Sequence, residues 1–315
     1  MDLKQLEYMV QIAEDKNITK AAEKLFITQS ALNQQLLKLE KELESPLFYR
    51  SRTNWHLTKV GEIYINAAKE ILGIKKETYN RISDLINMKN THLSIGLTPE
   101  RGISMFASVY PEFHTLHPNV IVEPVELSVK QQEAMINRRE LDIGFLTLSD
   151  DMQKKDNVYT SILIEDIIVA IPSSHPLAKN GSTYGELLKD IDLELLKEDN
   201  FVLISNGSTI REAINPLFQD ARFSPKLLFE TRSCQTLINM VMKNLCCTIL
   251  PEHYALDSKD IIYFSLPQKP QLRVVAMHKK GVYLSKATED FIRLASVYWN
   301  KLKTEKLKSY NKRNS

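Results

Sequence analysis

Gln29, Ser30, Asn33 and Gln34 recur at helical spacing and so share one side of a helix. Gln and Asn amides hold a donor beside an acceptor, which is the pattern needed to bond an adenine edge bidentately in a major groove. Thr28 before them and Lys38 one turn beyond complete the candidate DNA-contacting set on this helix. A polar helix face is more often merely solvated, so the reading needs a second feature. One follows in Tyr49-Arg50-Ser51-Arg52-Thr53-Asn54-Trp55-His56-Leu57-Thr58, which is short, β-prone and basic. It reads as a hairpin wing with Asn54 at the turn and Arg50 and Arg52 beside it, placed for phosphates or a narrow minor groove.

Enzyme chemistry finds little support. Nine Gly include no Gly-x-Gly pair, so the dinucleotide fingerprint and the Walker A loop are absent. Gly181-Ser182-Thr183-Tyr184-Gly185 has Thr where a nucleophile elbow needs Ser. His114-x-x-His117 has ligand-like spacing on a helix but no evident third ligand, so neither a metal nor a cofactor is expected. Cys234, Cys246 and Cys247 are too few for a disulfide framework and fit a reducing cytoplasm. A thiol switch stays open as an alternative, because reactivity depends on exposure and a lowered pKa.

The elements that must position these residues begin with helices. Leu3, Leu6, Met9, Ile12 and Ala13 follow a one-sided helical rhythm. Thr19 is a candidate N-cap for a second helix carrying Ala21 and Ala22, where another helix can approach closely, and Thr28 caps a third. Leu32, Leu36, Leu39 and Leu43 then bury the face opposite the amides. A long helix runs from Thr58 to about Lys89, with Ile63, Tyr64, Ala67, Ile71, Ile74, Ile82 and Leu85 as a stripe in search of a partner. From His92 strands and helices alternate, which argues for parallel sheets wound with helices. Expected strands are 92–97, 120–126, 141–146, 167–171, 201–204, 227–230 and 248–250, and helices open at Pro99, Ser128, Thr209 and Cys234. The strand 272–278 and the helix 285–303 find no place in this count.

The 315 residues suit two to three domains. The net charge of +2 hides a difference between regions. Residues 1–90 carry 14 Lys and Arg against 12 Asp and Glu; 91–298 carry 21 against 26; 299–315 carry 6 against 1. An acidic middle with basic ends is compatible with nucleic-acid contact. With no apolar leader and no long apolar run, a cytoplasmic protein without a membrane partner is expected.

Residues 3–72 resemble the winged helix-turn-helix of the LysR-type transcriptional regulators. The resemblance rests on Leu6, Ala21-Ala22-x-x-Leu25, Thr28-Gln29-Ser30-Ala31-Leu32, Gln35, Leu39-Glu40-x-x-Leu43, Pro46-Leu47-Phe48-x-Arg50 and Leu57-Thr58-x-x-Gly61. Asn33 departs where Ser is frequent, and Leu37 where a polar or basic residue is usual. The remainder resembles the effector-binding half of that family, which is similar to periplasmic solute-binding proteins. Here the resemblance rests on Phe113-x-x-x-x-Pro118, Glu140-Leu141-Asp142-Ile143-Gly144, His175-Pro176-Leu177-Ala178 and Leu250-Pro251. Asn244-Leu245-Cys246-Cys247 departs from a Gly-rich step.

The resemblance implies a winged helix-turn-helix over 1–58 and a dimerising linker helix over 59–89. A two-lobed α/β effector domain follows over 90–303, with lobe one 92–166 and 269–298 and lobe two 167–268, and then a basic tail over 304–315. It implies an effector pocket lined by Thr98, Pro99, Glu100, Arg101, Ser128, Thr147, Ser205, Asn206, Gly207, Ser208, Thr209 and Thr231. A carboxylate at Glu100 beside a helix N-terminus would repel a simple anion, unless Arg101 compensates by pointing inward. The expected partners are double-stranded DNA bearing an interrupted inverted repeat, a small-molecule effector, further copies of the chain as dimer and tetramer, and RNA polymerase. A solute-binding transport protein is the reading of a different class, since the lobes alone would support it.

Overall fold

The computed structural model describes residues 2–51, 54–86 and 91–313. The first unit packs three short helices, α1 (Leu3–Asp15), α2 (Ile18–Lys24) and α3 (Gln29–Glu42), onto the start of a fourth, α4 (Lys59–Ile86). Its core gathers Met9, Ile12, Ala21, Ala22, Leu32, Leu36 and Leu39 with Leu47 and Phe48. The cap of α2 differs from expectation: Asn17 rather than Thr19 accepts the first free amides, from Thr19 at 2.9 Å and Lys20 at 3.1 Å. Strands β1 (Phe48–Tyr49) and β2 (His56–Leu57) pair antiparallel as the wing, whose position 52 lies outside the described residues. Thr58 Oγ1 caps α4 by accepting from Gly61 N at 2.9 Å while donating to Pro46 O at 2.7 Å, so one hydroxyl ties wing to helix.

Helix α4 then runs against the second unit. Lys76 Nζ bonds Asp142 at 2.8 Å, and Arg139 pairs with Glu77. Gly73 permits the approach, because a Cβ there would stand 2.3 Å from that of Arg139. The expected end of this helix near position 89 lies outside the described residues.

In the second unit, β3 (Thr91–Leu97) pairs parallel with both β4 (Val120–Glu126) and β5 (Ile143–Leu148). Helices α5 (Arg101–Leu116) and α6 (Val129–Asn137) make the crossovers. Pro124 lies in the edge strand β4, where a missing N–H costs least. Three expectations change here. The strand expected at 141–146 starts two residues later, because Asp142 is used as an acceptor by Ser94 N at 2.7 Å and Ser94 Oγ at 2.8 Å. The strand expected at 167–171 is the second half of a 16-residue strand, β6 (Asn157–Pro172). The sheet is mixed rather than parallel, since β6 pairs antiparallel with β9 (Thr248–Pro251), β10 (Ile261–Phe264) and β11 (Gln271–Lys279).

Two lobes result. Lobe two adds β7 (Asn200–Ile204), parallel to β8 (Lys226–Thr231), with α7 (Thr209–Asp220) and α8 (Cys234–Met242). The elements left unplaced by the sequence find positions: β11 inserts between β5 and β6, and α9 (Lys286–Arg313) packs on α5 through Phe291 and its neighbours. At the Gly-poor step before β9, Asn244 takes the left-handed conformation (φ 57°), which Asn tolerates better than most side chains. No helix among the described residues is long and apolar enough to cross a membrane.

Candidate DNA-reading face and inter-lobe cleft

Helix α3 has two unlike sides. Leu32, Leu36 and Leu39 are at most 2% exposed, while Gln29, Ser30, Gln34 and Lys38 face solvent and Asn33 is half-buried. Thr28 Oγ1 caps the helix by accepting from Ala31 N at 3.2 Å and lies 3.1 Å from Ser30 Oγ. Among the described residues no hydrogen bond engages the side chains of Gln29, Asn33, Gln34 or Lys38. Their donors and acceptors therefore project unspent from a rigid helix, as base reading requires.

The wing is held differently from expectation. Arg50 forms an ion pair with Glu40 of α3 and lies 5.6 Å from the centre of the Trp55 ring. Glu40 also accepts from Leu47 N at 2.8 Å. Arg50 thus fastens the wing to α3, and much of its charge is already answered. Asn54 N donates to Ser51 Oγ at 2.9 Å, and Asn54 is exposed.

Glu100 is the most unusual residue between the lobes. Its backbone has φ 58° and ψ −77°, and Arg101 N donates to Pro99 O at 2.7 Å. This is a classic γ-turn, rare and strained for a non-glycine residue, and it delays α5 to Arg101 instead of Pro99. The turn sends the Glu100 carboxylate across to lobe two, where it accepts from Cys234 N at 3.0 Å, at the first turn of α8. A helix N-terminus favours negative charge. A carboxylate of the chain itself already supplies it.

Arg101 does not stand at an open rim. It is 5% exposed, forks onto Glu165 of β6 with one bond of 3.0 Å, and donates to Thr147 Oγ1 at 3.1 Å. The rings of Tyr254 and Trp299 each lie 5.3 Å from its guanidinium. Glu165 holds its charge so firmly that Arg101 sits well above its ordinary pKa, although burial alone pulls the other way.

The other expected rim residues divide. Thr209 Oγ1 donates to Thr147 O at 2.5 Å, a direct bond between the lobes. Ser208 Oγ accepts from Arg211 N at 3.1 Å and donates to Ser205 O at 3.0 Å, so it caps α7. Ser128 is the exposed cap of α6 in a capping box with Gln131. Thr231 Oγ1 accepts from Ser233 N at 3.2 Å, and Asn206 bonds Glu230. Gly207 is exposed with φ +82° and nothing within 4 Å of its missing Cβ. Pro99 is exposed. Of the rim hydroxyls, those of Thr98 and Ser205 make no hydrogen bond among the described residues. A further bridge between the lobes, Lys130 to Glu212 at 3.1 Å, involves residues the sequence did not single out.

The three thiols are buried. Desolvation pushes Cys234 up to about 12, against an ordinary thiol value of 9.0, with the nearby Glu100 carboxylate adding to the shift. Burial raises Cys246 to about 11 and lifts Cys247 as well. Protonated, enclosed thiols are poor nucleophiles, so the geometry disfavours a peroxide-type switch. His114 stacks on Tyr110 and His117 bonds Asp290 at 3.0 Å, so the pair does not converge. His175, Asp199 and Cys247 do place ligand-type atoms within 4.8 Å of one another. The His175 ring is already occupied, accepting from Leu177 N at 3.2 Å and lying 3.1 Å from Asp199.

Comparison with known proteins agrees with this geometry. Residues 3–62 match the family described as bacterial regulatory helix-turn-helix protein, lysR family, and residues 87–297 match the LysR substrate binding domain. The chain is 28% identical to the Hca operon transcriptional activator HcaR of Escherichia coli K12, covering 94% of this chain and 99% of that one. It is 27% identical to the uncharacterized HTH-type transcriptional regulator YcgK of Bacillus subtilis 168, covering 94% of both. Among solved structures, CbnR complexed with its target DNA superposes with a TM-score of 0.59 at 19% identity, over 94% of this chain and 99% of that one. A full-length OxyR variant from Pseudomonas aeruginosa gives 0.67 at 24%, over 94% and 97%.

Proposed function

The chain belongs to the LysR family of bacterial transcriptional regulators, an effector-controlled DNA-binding class, and from that premise we propose how its residues divide the work. The unspent amides of α3 carry the reading. Gln29, Asn33 and Gln34 contact base edges in a major groove, and Thr28, Ser30 and Lys38 contact the backbone beside them. Asn54 and Arg52 of the wing reach the adjacent groove, and Arg50 braces the wing against α3.

The effector occupies the inter-lobe cleft, addressed by Thr98 and Ser205 and by the Thr147–Thr209 bridge. Because Glu100 already neutralises the start of α8, the effector is not a simple anion seeking that helix terminus. It acts by binding one arrangement of the lobes better than another, without which it would shift nothing. The protein is a regulator of the cytoplasm and not an enzyme.

Two copies associate through α4, and two such dimers form a tetramer that places paired recognition helices on an interrupted inverted repeat, where RNA polymerase is engaged. The surface that supports this is the line of Ile63, Ala67, Ile74, Ile82 and Leu85, all exposed, whereas Tyr64 packs inward on its own unit.

The deciding experiment measures operator and random-DNA affinity for Asn33→Ala and Gln34→Ala. A loss of ~1–3 kcal/mol on the operator with little change on random DNA is expected. Equal losses on both DNAs would remove these amides from base reading.

A further inference from the structure

A cavity of about 760 Å³ opens where β6, the 184–188 segment, the turn at Glu252–Tyr254 and the middle of α9 at Trp299 and Leu302 meet. None of the residues assigned to the cleft rim lines it. Its walls are aromatic and aliphatic, with Trp299, Tyr184, Tyr263, Leu163 and Ile168 among them. Tyr263 turns its hydroxyl away, into bonds with Leu256 N at 2.9 Å and Leu256 O at 3.1 Å, and so offers the ring.

The charge set into these walls is one-sided. Asp166, Glu186, Glu165 and Glu252 line the space, opposed by Lys269 and His253. Glu165 is answered by Arg101, and Lys269 by Asp190. Asp166 and Glu186 accept only from neutral donors, Gln271 Nε2 at 2.9 Å and Thr183 N at 2.7 Å, with no ion pair among the described residues. One donor is left over. Trp299 is 1% exposed, and its indole Nε1 has no acceptor among the described residues. An indole N–H can only donate, and leaving it buried and unpaired is unfavourable.

We propose that this cavity is a second ligand site, separate from the inter-lobe cleft, for a small organic cation. The ligand is an amine with an aromatic or branched aliphatic body and a hydrogen-bond acceptor. The body fills the apolar walls, the ammonium meets Asp166 and Glu186, and the acceptor takes the Trp299 N–H. A carboxylate-bearing molecule of the same shape is excluded by the two unanswered acids.

The test uses the full-length chain, in which Trp55 and Trp299 are the two tryptophans. Trp55→Phe leaves emission from Trp299 alone, and calorimetry on the unaltered chain gives an independent measure. The probes are phenylalaninol, its N-acetyl derivative, which lacks the cation, and 3-phenylpropionate. Phenylalaninol should shift Trp299 emission saturably and bind about tenfold or more tighter than either relative, as partly enclosed opposite charges would give. The double variant Asp166→Asn, Glu186→Gln should lose that preference while keeping its melting temperature and its operator affinity. Equal binding of the three probes, tighter binding of 3-phenylpropionate, or no saturable change with any probe would overturn the proposal. So would a preference abolished by Thr98→Val in the cleft but untouched by the double variant.

Discussion

Arg101→Met isolates the buried ion pair that the sequence could not reveal. The Arg101 and Glu165 side chains are 4% and 5% exposed, so replacing Arg101 leaves Glu165 as an unpaired buried carboxylate. Removing one partner of such a pair costs about 3–5 kcal/mol, because the remaining charge keeps its desolvation penalty without its Coulomb partner. Thr147 Oγ1 loses a donor in the same step. For a domain of this size each kcal/mol lowers the melting temperature by about 2–4 °C, so a fall of roughly 6–20 °C is expected. Fluorescence reads it locally, because Trp299 packs in the core of lobe one while Trp55 lies against the winged unit. Arg101→Met should shift the Trp299 transition and leave that of Trp55 in place. The double replacement Arg101→Met, Glu165→Leu should recover most of the loss, since a well-packed apolar pair is often as stable as a buried ionic one. If Arg101 instead met ligand at an open rim, Arg101→Met would leave the melt unchanged and lower only the effector response. A single-variant cost below about 1 kcal/mol, or a double variant worse than either single, would refute the reasoning.

Three further outcomes are expected. Arg50→Ala should loosen the wing, seen in Trp55 emission, yet change the salt dependence of DNA binding by less than the slope of about 0.9 expected for a whole phosphate contact, whereas Lys38→Ala should remove about that much; equal slopes for the two variants would deny the Glu40 brace. Ile63→Asp or Ile74→Asp should convert the assembly to monomers in sedimentation and abolish tight operator binding, and an unchanged oligomer would remove α4 from the interface. Because folding raises the thiol pKa values of Cys234 and Cys246 from 9.0 to about 12 and about 11, their contribution to stability is intact below pH 9. It is lost as pH climbs from there toward the folded values, since the unfolded chain then releases those protons first. Cys234→Ser and Cys246→Ser should flatten that alkaline decline, and rapid alkylation of the native protein at neutral pH would contradict it.

What could be read from the sequence was local and periodic. The leucine stripe of α3 and the amides opposite it follow from a 3.6-residue repeat, and both the helix and its Thr28 cap form where that repeat places them. Tyr64 shows the limit, since a broad stripe does not say which edge faces the molecule's own core. Glu165 and Asp166 interrupt the apolar run of β6, so only its second half, 167–171, reads as a strand. The reason they are tolerated is Arg101, 64 positions away, which no local pattern contains. Glu100 reads from the sequence as an awkward charge at a helix start, but its left-handed backbone and its reach to Cys234 depend on tertiary contact. The rim hydroxyls were found largely because caps and ligand contacts draw on the same residue types, and Ser208 and Ser128 prove to be caps in the structure.

Strand β6 has a mechanical consequence. It pairs with β11 from Asn157 to Asp166 and with β9 and β10 from Ile167 to Pro172, so one continuous backbone serves the sheets of both lobes. At the passage between them Ile167 N bonds Pro270 O at 2.9 Å and Gln271 Nε2 bonds Asp166 Oδ1 at 2.9 Å, which ties the outgoing and returning chains into one ribbon. A two-stranded ribbon stretches little and resists in-plane bending, but it accepts a wide range of twist. The lobes are therefore mounted like two vanes on a torsion bar. Their separation is set by a covalent strut, and the soft coordinate left to them is rotation about it. On the proposed function, an effector in the cleft would act on the lobes through an angle rather than through a distance.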